Sequence, residues 1–185
     1  MEKTEKVLNP GPLGLVGFGL ATILLNIHNL GLIDLSIVVV ALGVAMGGLV
    51  QLIAGLYEFK NKNTFAGTAF IAFGGFWFSL VLIWLLKSNN VKPADNISMG
   101  FYLLIWGLFG LIMFIGTLKH NMISRLIFGC LTLLFFFLAI ADFTMIGALN
   151  IVAGVVGIIT GLLALYNAAG QIIHEEFGKT FLPLF

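Results

Sequence analysis

Charged residues are scarce in this chain, and their scarcity excludes a soluble domain. Asp, Glu, Lys and Arg make up 9% of the 185 residues, whereas hydrophobic residues make up 60%. An average soluble domain is about 25% charged, and a soluble fold of this length has no room to hide so much apolar surface. The sequence therefore predicts an integral, multi-pass protein of the cell membrane (plasma or inner membrane).

Other features that are rare or missing exclude several function classes. The net charge is +1, so no nucleic-acid partner is predicted. A single cysteine, Cys130, excludes an intrachain disulfide and a cysteine metal cluster. The sequence has no H-E-x-x-H pair, phosphate loop, C-x-x-C pair or catalytic Ser/His/Asp order. We therefore expect neither an enzyme nor a bound cofactor or metal.

The few charges divide the chain into long apolar intervals. Residues 7–33, 35–57, 63–86, 96–118, 126–141 and 143–174 contain no Asp, Glu, Lys or Arg. A membrane helix needs about 20 apolar residues, and the fifth interval reaches this length if Arg125 snorkels to the interface. The sequence predicts an all-α bundle forming a single domain, 1–185. Its six helices are predicted at about 10–30, 37–57, 64–86, 98–118, 123–141 and 150–173.

The distribution of Lys and Arg predicts the orientation of this bundle. If the six helices alternate in direction, one side carries most of the cations and the other carries only Lys87 and Lys92. Because cytoplasmic loops carry the excess of Lys and Arg, both termini are expected in the cytoplasm. The cations of the predicted cytoplasmic side are Lys3, Lys6, Lys60, Lys62, Lys119, Arg125 and Lys179.

Polar side chains within or next to the predicted spans are candidate functional groups. The first helix ends in Asn26, His28 and Asn29, the second carries Gln51, and Glu58 follows it. Polar groups inside a membrane often mark a solute path, although Gln51 is equally well explained by a packing hydrogen bond. His28 is also explained as an interface residue, and Glu58 as a surface partner of nearby lysines.

Glycines are numerous, 23 in all, and two pairs have the spacing of helix-packing motifs. Gly43 and Gly47 lie on one face of the second helix, and Gly157 and Gly161 on one face of the sixth. Such small-residue faces let two helix backbones come close. The sequence leaves open whether they serve packing within one chain or association of subunits.

The opening segment and several later motifs together resemble a known family. Asn-Pro-Gly-Pro-Leu-Gly-Leu-Val-Gly-Phe, at 9–18, is similar to the N-terminal signature of the acetate uptake transporter family, whose bacterial members include succinate–acetate permeases. The signature residues are Asn9, Pro10, Pro12, Leu13 and Gly14. The resemblance continues through 25–29, 47–55, Glu58, 63–65, 116–119 and 176–180.

This resemblance implies a hexamer in which each protomer encloses a narrow path for acetate, and in some members succinate, taken up with protons. It implies a constriction formed by Phe18, Phe73 and Leu131, with Ala164 lining the path. Two positions depart from the family pattern. The family usually has Ala or Val at the position of Gly11, and often has Tyr at the position of Phe73.

The depth of the three constriction residues agrees with this placement independently. Phe18, Phe73 and Leu131 each lie about eight or nine residues into a helix that starts on the predicted cytoplasmic side, which is about 12–14 Å at 1.5 Å per residue. The hydrocarbon half-thickness is about 15 Å. All three are therefore expected near the midplane, where an apolar ring can gate a path by dewetting.

We therefore predict a proton-coupled permease for acetate and other small carboxylates in a lipid bilayer. The candidate substrate-binding groups are Asn26, Asn29, Gln51, Asn63 and Thr64, the last two at a helix start, and the candidate proton-coupling groups are His28 and Glu58. The alternatives are a passive channel for a small neutral or weakly acidic solute and a membrane sensor or scaffold. Ammonium export is weaker, because no paired membrane histidines suit it.

Overall fold

The computed structural model describes residues 8–86 and 91–184, and the regular structure in these ranges is entirely helical. Six helices in them are long and apolar enough to cross a membrane. They are α1 Gly11–Asn29, α2 Ile37–Lys60, α3 Thr64–Leu85, α4 Asn96–Lys119, α5 Met122–Thr144 and α6 Gly147–Phe177. The predicted all-α bundle of six spans is confirmed. Three cations used to predict its orientation lie outside the described residues: Lys3, Lys6 and Lys87.

Side-chain caps fix the first turns of three helices. Asn63, Asp95 and Asn121 precede α3, α4 and α5, and each accepts a hydrogen bond from the backbone N–H three residues later. These bonds satisfy donors that have no partner inside the helix. The backbone and hydroxyl of Ser98 both donate to Asp95 and hold the pKa of its carboxyl below the usual range.

Several helices extend beyond their predicted bounds. The sequence placed the ends of the second, fifth and sixth helices at 57, 141 and 173, whereas α2, α5 and α6 end at Lys60, Thr144 and Phe177. A charged residue ends the hydrocarbon span but does not end a helix, which continues until its backbone turns. For α6 that turn is Gly178, with a left-handed φ of 64°.

The second helix is not regular along its length. Residues Gly43–Val50 form a π-helix between two α-helical segments, a rare conformation that is often found at functional sites. Its glycines lie against aromatic rings of α3. A Cβ added to Gly47 would be 2.5 Å from the ring of Trp77, and one added to Gly48 would be 2.9 Å from Phe78. The predicted small-residue face of this helix therefore packs within the chain.

Helices α1 and α6 approach each other through glycines as well. A Cβ added to Gly19 would lie 2.9 Å from the carbonyl oxygen of Gly161, and the reverse distance is 2.8 Å. The two helix backbones are therefore in direct contact, which small residues permit in membrane bundles. The second predicted small-residue face is thus also occupied inside one protomer.

The remaining contacts close the bundle around an aromatic core. Helix α6 packs against α1 and α5, α2 packs against α3, and α4 packs against α5. Phe73 of α3 lies at the centre, with its ring 6.3 Å from Phe18 of α1, 5.3 Å from Phe109 of α4 and 6.3 Å from Phe135 of α5, measured between centroids. One side chain thus touches three other helices.

We expect Gly47→Ala to destabilise the bundle, because its methyl group overlaps Trp77. Overpacking of this kind costs about 1–3 kcal/mol, more than the helix propensity that Ala gains over Gly. Thermal unfolding of the purified protein in detergent measures the effect. The matched control is Gly75→Ala on α3, where an added Cβ meets no atom of the described chain within 4 Å. Equal unfolding midpoints for the two variants would contradict this packing.

Candidate substrate path

Two cavities among the described residues share lining side chains inside the bundle. The larger, of about 220 Å³, opens at the end where α1, α3 and α5 begin. We call this end the terminal end because the described chain enters α1 and leaves α6 there. The smaller, of about 30 Å³, is lined by residues deeper in α1, α3 and α5 and extends toward the opposite end. A cavity needs about 10–15 Å³ to hold one water. The smaller cavity is therefore large enough for about two or three waters, and the larger for a small solute with part of its hydration shell.

Three apolar side chains separate the two cavities. Phe18, Phe73 and Leu131 line both of them, and each is at most 7% exposed. They come from α1, α3 and α5, so the residues that the sequence placed at one depth are brought together in space. We call this set the junction. Ala164 is fully buried in the apolar core and lines neither cavity.

A chain of amides forms one wall of the larger cavity. Asn9 donates to Gln171 Oε1 at 2.9 Å, Gln171 donates to Asn167 Oδ1 at 2.9 Å, and Asn167 donates to Ser124 Oγ at 3.4 Å. All four residues line the cavity. The chain joins the segment before α1 to α6 and α5, and so fixes the polar wall across three parts of the fold.

The carboxylate of Glu58 also lines the larger cavity, close to these amides. This residue is 4% exposed, and its Oε2 accepts a hydrogen bond from Asn63 Nδ2 at 2.8 Å. Its Oε1 points toward Gly11, where a Cβ would lie 3.3 Å from this oxygen, 3.1 Å from Asn9 Oδ1 and 3.5 Å from Gln171 Oε1. Three oxygens therefore surround the backbone of Gly11. A methyl group there would require those of Asn9 and Glu58 to shift by a few tenths of an ångström and would contact that of Gln171. The alternative of a surface ion pair with nearby lysines does not fit this position, because the Glu58 side chain is buried beside the cavity.

Gln51 lies at the inner part of the larger cavity. Its side chain is 1% exposed and donates through Nε2 to the carbonyl oxygen of Gly47 at 2.7 Å. The acceptor belongs to the π-helical segment of α2, so the irregular backbone helps to hold this amide in place. An amide nitrogen carries two protons, and the second is not used in any hydrogen bond of the described chain.

Two asparagines line the smaller cavity. Asn26 is 1% exposed and donates to the carbonyl oxygen of Thr22 at 2.8 Å, while Asn29 donates to Asn26 Oδ1 at 3.0 Å. The Asn26 amide lies directly against the backbone of Gly157 on α6, where an added Cβ would overlap it at 2.1 Å. Gly157 therefore leaves the space in which this amide sits.

Other predicted site residues lie away from both cavities. His28 places Nδ1 3.0 Å from the carbonyl oxygen of Ile33, in the connection between α1 and α2, and lines neither cavity. Thr64 is exposed at the first turn of α3, and Leu13 is 47% exposed on the outside of the bundle. The remaining signature residues, Pro10, Pro12 and Gly14, form the first turns of α1 without lining a cavity.

Four polar residues that line the larger cavity are absent from the predicted site residues: His120, Ser124, Asn167 and Gln171. A signal existed for two of them. Asn167 and Gln171 are uncharged amides four residues apart in a charge-free interval, as Gln51 is in its own interval. This spacing places them on one face of a helix. Nothing in the sequence indicates that the connection bearing His120 turns toward a cavity.

Comparison with known proteins identifies the family of this chain. The family model of the GPR1/FUN34/yaaH family matches residues 1–183. The succinate-acetate/proton symporter SatP of Escherichia coli strain K12 is 45% identical over 180 residues, which cover 97% of this chain and 96% of SatP. Ammonia transport outward protein 2 of Saccharomyces cerevisiae is 41% identical, over 93% of this chain and 64% of that protein.

A solved structure is similar along the whole bundle. The structure described as that of the bacterial acetate channel SatP superposes with a TM-score of 0.94 at 44% identity, covering 97% of this chain and all of that one. These relatives are named as transporters or channels. The resemblance inferred from the sequence motifs is confirmed: this multi-pass membrane protein belongs to the GPR1/FUN34/yaaH family of acetate transporters.

Proposed function

We propose that this chain is a membrane permease for acetate and other small carboxylates, succinate among them, and that it takes them up together with protons. The observation that supports the proposal most directly is the pair of cavities that meet at the Phe18, Phe73 and Leu131 junction. Its relatives are named for succinate, acetate and proton transport. The proposal includes no catalysis, no cofactor and no metal.

The junction makes desolvation the controlling step. An anion that crosses three apolar side chains loses the water around its charge, and moving a bare carboxylate into an apolar site costs far more than moving a neutral acid. The barrier therefore favours a carboxyl group that carries its proton. Proton-linked uptake follows from the apolar chemistry of the junction and needs no charged relay within it.

Amides on both sides of the junction can replace part of the lost hydration. Gln51 on the larger cavity and Asn26 and Asn29 on the smaller one each use one amide proton in a hydrogen bond. Each amide nitrogen keeps a second proton for a carboxylate oxygen. The starts of α1 and α3, near Asn9 and Asn63, add the partial positive charge of helix N-termini at the cavity mouth.

Among the two proton-coupling candidates, the geometry favours Glu58. Its carboxylate lines the larger cavity and leaves Oε1 without a hydrogen bond in residues 8–86 and 91–184. His28 is bonded to a backbone carbonyl and lines neither cavity. In this proposal Glu58 exchanges a proton with the carboxylate while both are in the larger cavity.

The proposal also includes the orientation and the assembly predicted from the sequence. The terminal end faces the cytoplasm of the cell, so the larger cavity opens inward. This orientation is supported by the cations at that end, which are Lys60, Lys62, Lys119, Arg125 and Lys179.

In the same proposal the protomers assemble as a hexamer within the lipid bilayer, and each protomer forms a single domain, 1–185. The apolar side chains exposed along α2 and α4 are available for contact with lipid or with neighbouring protomers.

We expect proteoliposomes containing the purified protein to accumulate labelled acetate above the outside concentration when the outside is acidic. Collapse of the proton gradient with a protonophore should abolish accumulation and leave only equilibration. Because one relative is described as a channel and a passive path for the neutral acid also accumulates acetate on the alkaline side, the initial uptake rate is measured as well. Saturation of this rate with acetate, above the rate of protein-free liposomes, distinguishes a carrier from a passive channel. Equal uptake with and without the gradient would contradict coupling, and no uptake at all would favour a sensor or scaffold.

We expect Leu131→Ala to admit bulkier carboxylates, because it removes most of one of the three junction side chains. Uptake of labelled lactate or succinate relative to acetate should rise about threefold or more, which corresponds to a barrier change of about 0.7 kcal/mol. The matched control is Leu133→Ala on the same helix, which is 50% exposed and outside both cavities. An unchanged substrate ratio in a folded Leu131→Ala protein would remove this residue from the barrier.

We expect Gly157→Ala to reduce acetate uptake by displacing the Asn26 amide from the smaller cavity. Uptake should fall about fivefold or more, as for the loss of one hydrogen bond of about 1 kcal/mol to the substrate. Gly147→Ala at the start of α6, where an added Cβ has open space around it, is the control. Normal uptake by both variants would show that the position of Asn26 does not matter for transport.

A further inference from the structure

His120 lies at the mouth of the larger cavity, in the short connection between α4 and α5. The residue is exposed and lines the cavity wall. Its ring packs edge-on against Phe65 of α3, with 4.6 Å between the centroids. Its backbone carbonyl accepts a hydrogen bond from Arg125 Nε at 2.9 Å. The connection therefore holds the imidazole at the mouth rather than letting it extend away from the bundle.

The imidazole has free hydrogen-bonding capacity. Neither ring nitrogen bonds to any group in residues 8–86 and 91–184. Ser124, four residues later on the first turn of α5, lines the same cavity and accepts a hydrogen bond from Asn167. A hydroxyl that accepts one bond still has its own proton to donate. Two side chains with available donors thus lie on one wall.

The charges around His120 are few. The cavity walls formed by α1, α3 and α6 contribute neutral groups, and the polar ones are Asn9, Asn63, Asn167 and Gln171. Helix α2 contributes Glu58, the acidic residue of the same cavity. The neighbouring cations, Lys119 and Arg125, line neither cavity. Among the described residues that line the cavity, His120 is therefore the one that can carry a positive charge, and imidazole changes its charge between about pH 5 and 8.

We propose that His120 and Ser124 form a carboxylate-binding subsite at the mouth of the larger cavity, and that protonation of His120 strengthens it. The proton adds a full positive charge and a second N–H donor to the imidazole, and hydrogen bonds between charged partners are shorter and stronger than neutral ones. Protonation of Glu58 would act in the same direction by removing a negative charge from the same cavity. The two groups must therefore be separated by experiment.

This inference rests on the proposed transport of carboxylates. It implies that the pH at the mouth of the larger cavity regulates the rate at which the carboxylate is released. If the terminal end faces the cytoplasm, each imported acid lowers the pH at the end where it is released. A protonated His120 then holds the carboxylate for longer and slows its release. Uptake is thereby limited when acid accumulates inside, without any change in the junction.

Trifluoroacetate is a suitable probe because it stays ionised throughout the pH range in which imidazole titrates. Its binding to the purified protein in detergent can be followed by fluorine NMR line broadening at about pH 5.5 and about pH 8. Any change in affinity with pH then comes from the protein. We expect wild-type binding to be about fivefold tighter at the lower pH, as for one partly solvated ion pair.

Four variants identify the group responsible. We expect His120→Gln to bind weakly at both pH values and His120→Lys to bind tightly at both, whereas Glu58→Gln keeps the pH dependence caused by His120. His174→Gln is the control, because His174 lies at the same end of the bundle on α6 but lines neither cavity. It should behave as the wild type.

The outcomes separate this inference from the proposed function. The role of His120 would be overturned if the affinity of His120→Gln for the probe still changed with pH. It would also be overturned if Glu58→Gln lost this pH dependence, or if the wild type bound the probe equally at both pH values. Uptake of labelled acetate by wild-type proteoliposomes is measured in parallel. If the wild type takes up acetate but substitution of His120 does not change the pH dependence of probe binding, only the subsite is rejected. If the protein neither binds the probe nor transports acetate, the subsite and the proposed function are both rejected.

Discussion

The packing of Phe73 is the constraint on which the path depends. Its ring fills the space between α1, α4 and α5 and forms part of the barrier between the two cavities. Aromatic side chains combine a large buried area with preferred ring geometries, so such a cluster is stiff. A barrier of this kind resists deformation, and what crosses it must be small or must move several side chains at once. The Phe73 ring packs against the rings of Phe18, Phe109 and Phe135, so the Tyr that the family resemblance implies at this position would need a hydrogen-bond partner for its hydroxyl.

Glycines position the polar groups that lie on either side of this barrier. Gly157 lets α6 come so close to α1 that Asn26 lies against its backbone, and Gly47 lets the Trp77 ring lie against α2. The same glycine accepts the hydrogen bond from Gln51 through its carbonyl oxygen. Small residues therefore place an amide on each side of the junction. Helix packing and substrate contact depend on the same positions, so a substitution that damages one is expected to damage the other.

The sequence was informative where one physical rule dominates. The spacing of charges predicted the six spans, because a charge is costly anywhere in the hydrocarbon region. Counting residues from the helix starts placed Phe18, Phe73 and Leu131 at one depth, and they are neighbours in the structure. The π-helix of α2 could not be predicted in this way, since it depends on how its glycines pack against Trp77 and Phe78.

The two cavities differ in how much water each can hold beside a carboxylate. At the terminal end, a cavity of about 220 Å³ lined by amides is large enough for a carboxylate with part of its water, whereas the cavity beyond the junction has only about 30 Å³. In this arrangement a carboxylate is more easily hydrated on the side of Glu58 and His120 than on the side of Asn26. Since a proton lowers the cost of losing water, the proton exchange proposed for Glu58 would be most effective in the larger cavity, before the carboxyl group enters the junction or after it leaves. With proton exchange in the larger cavity, the proposed transport needs no ionisable group at the junction itself.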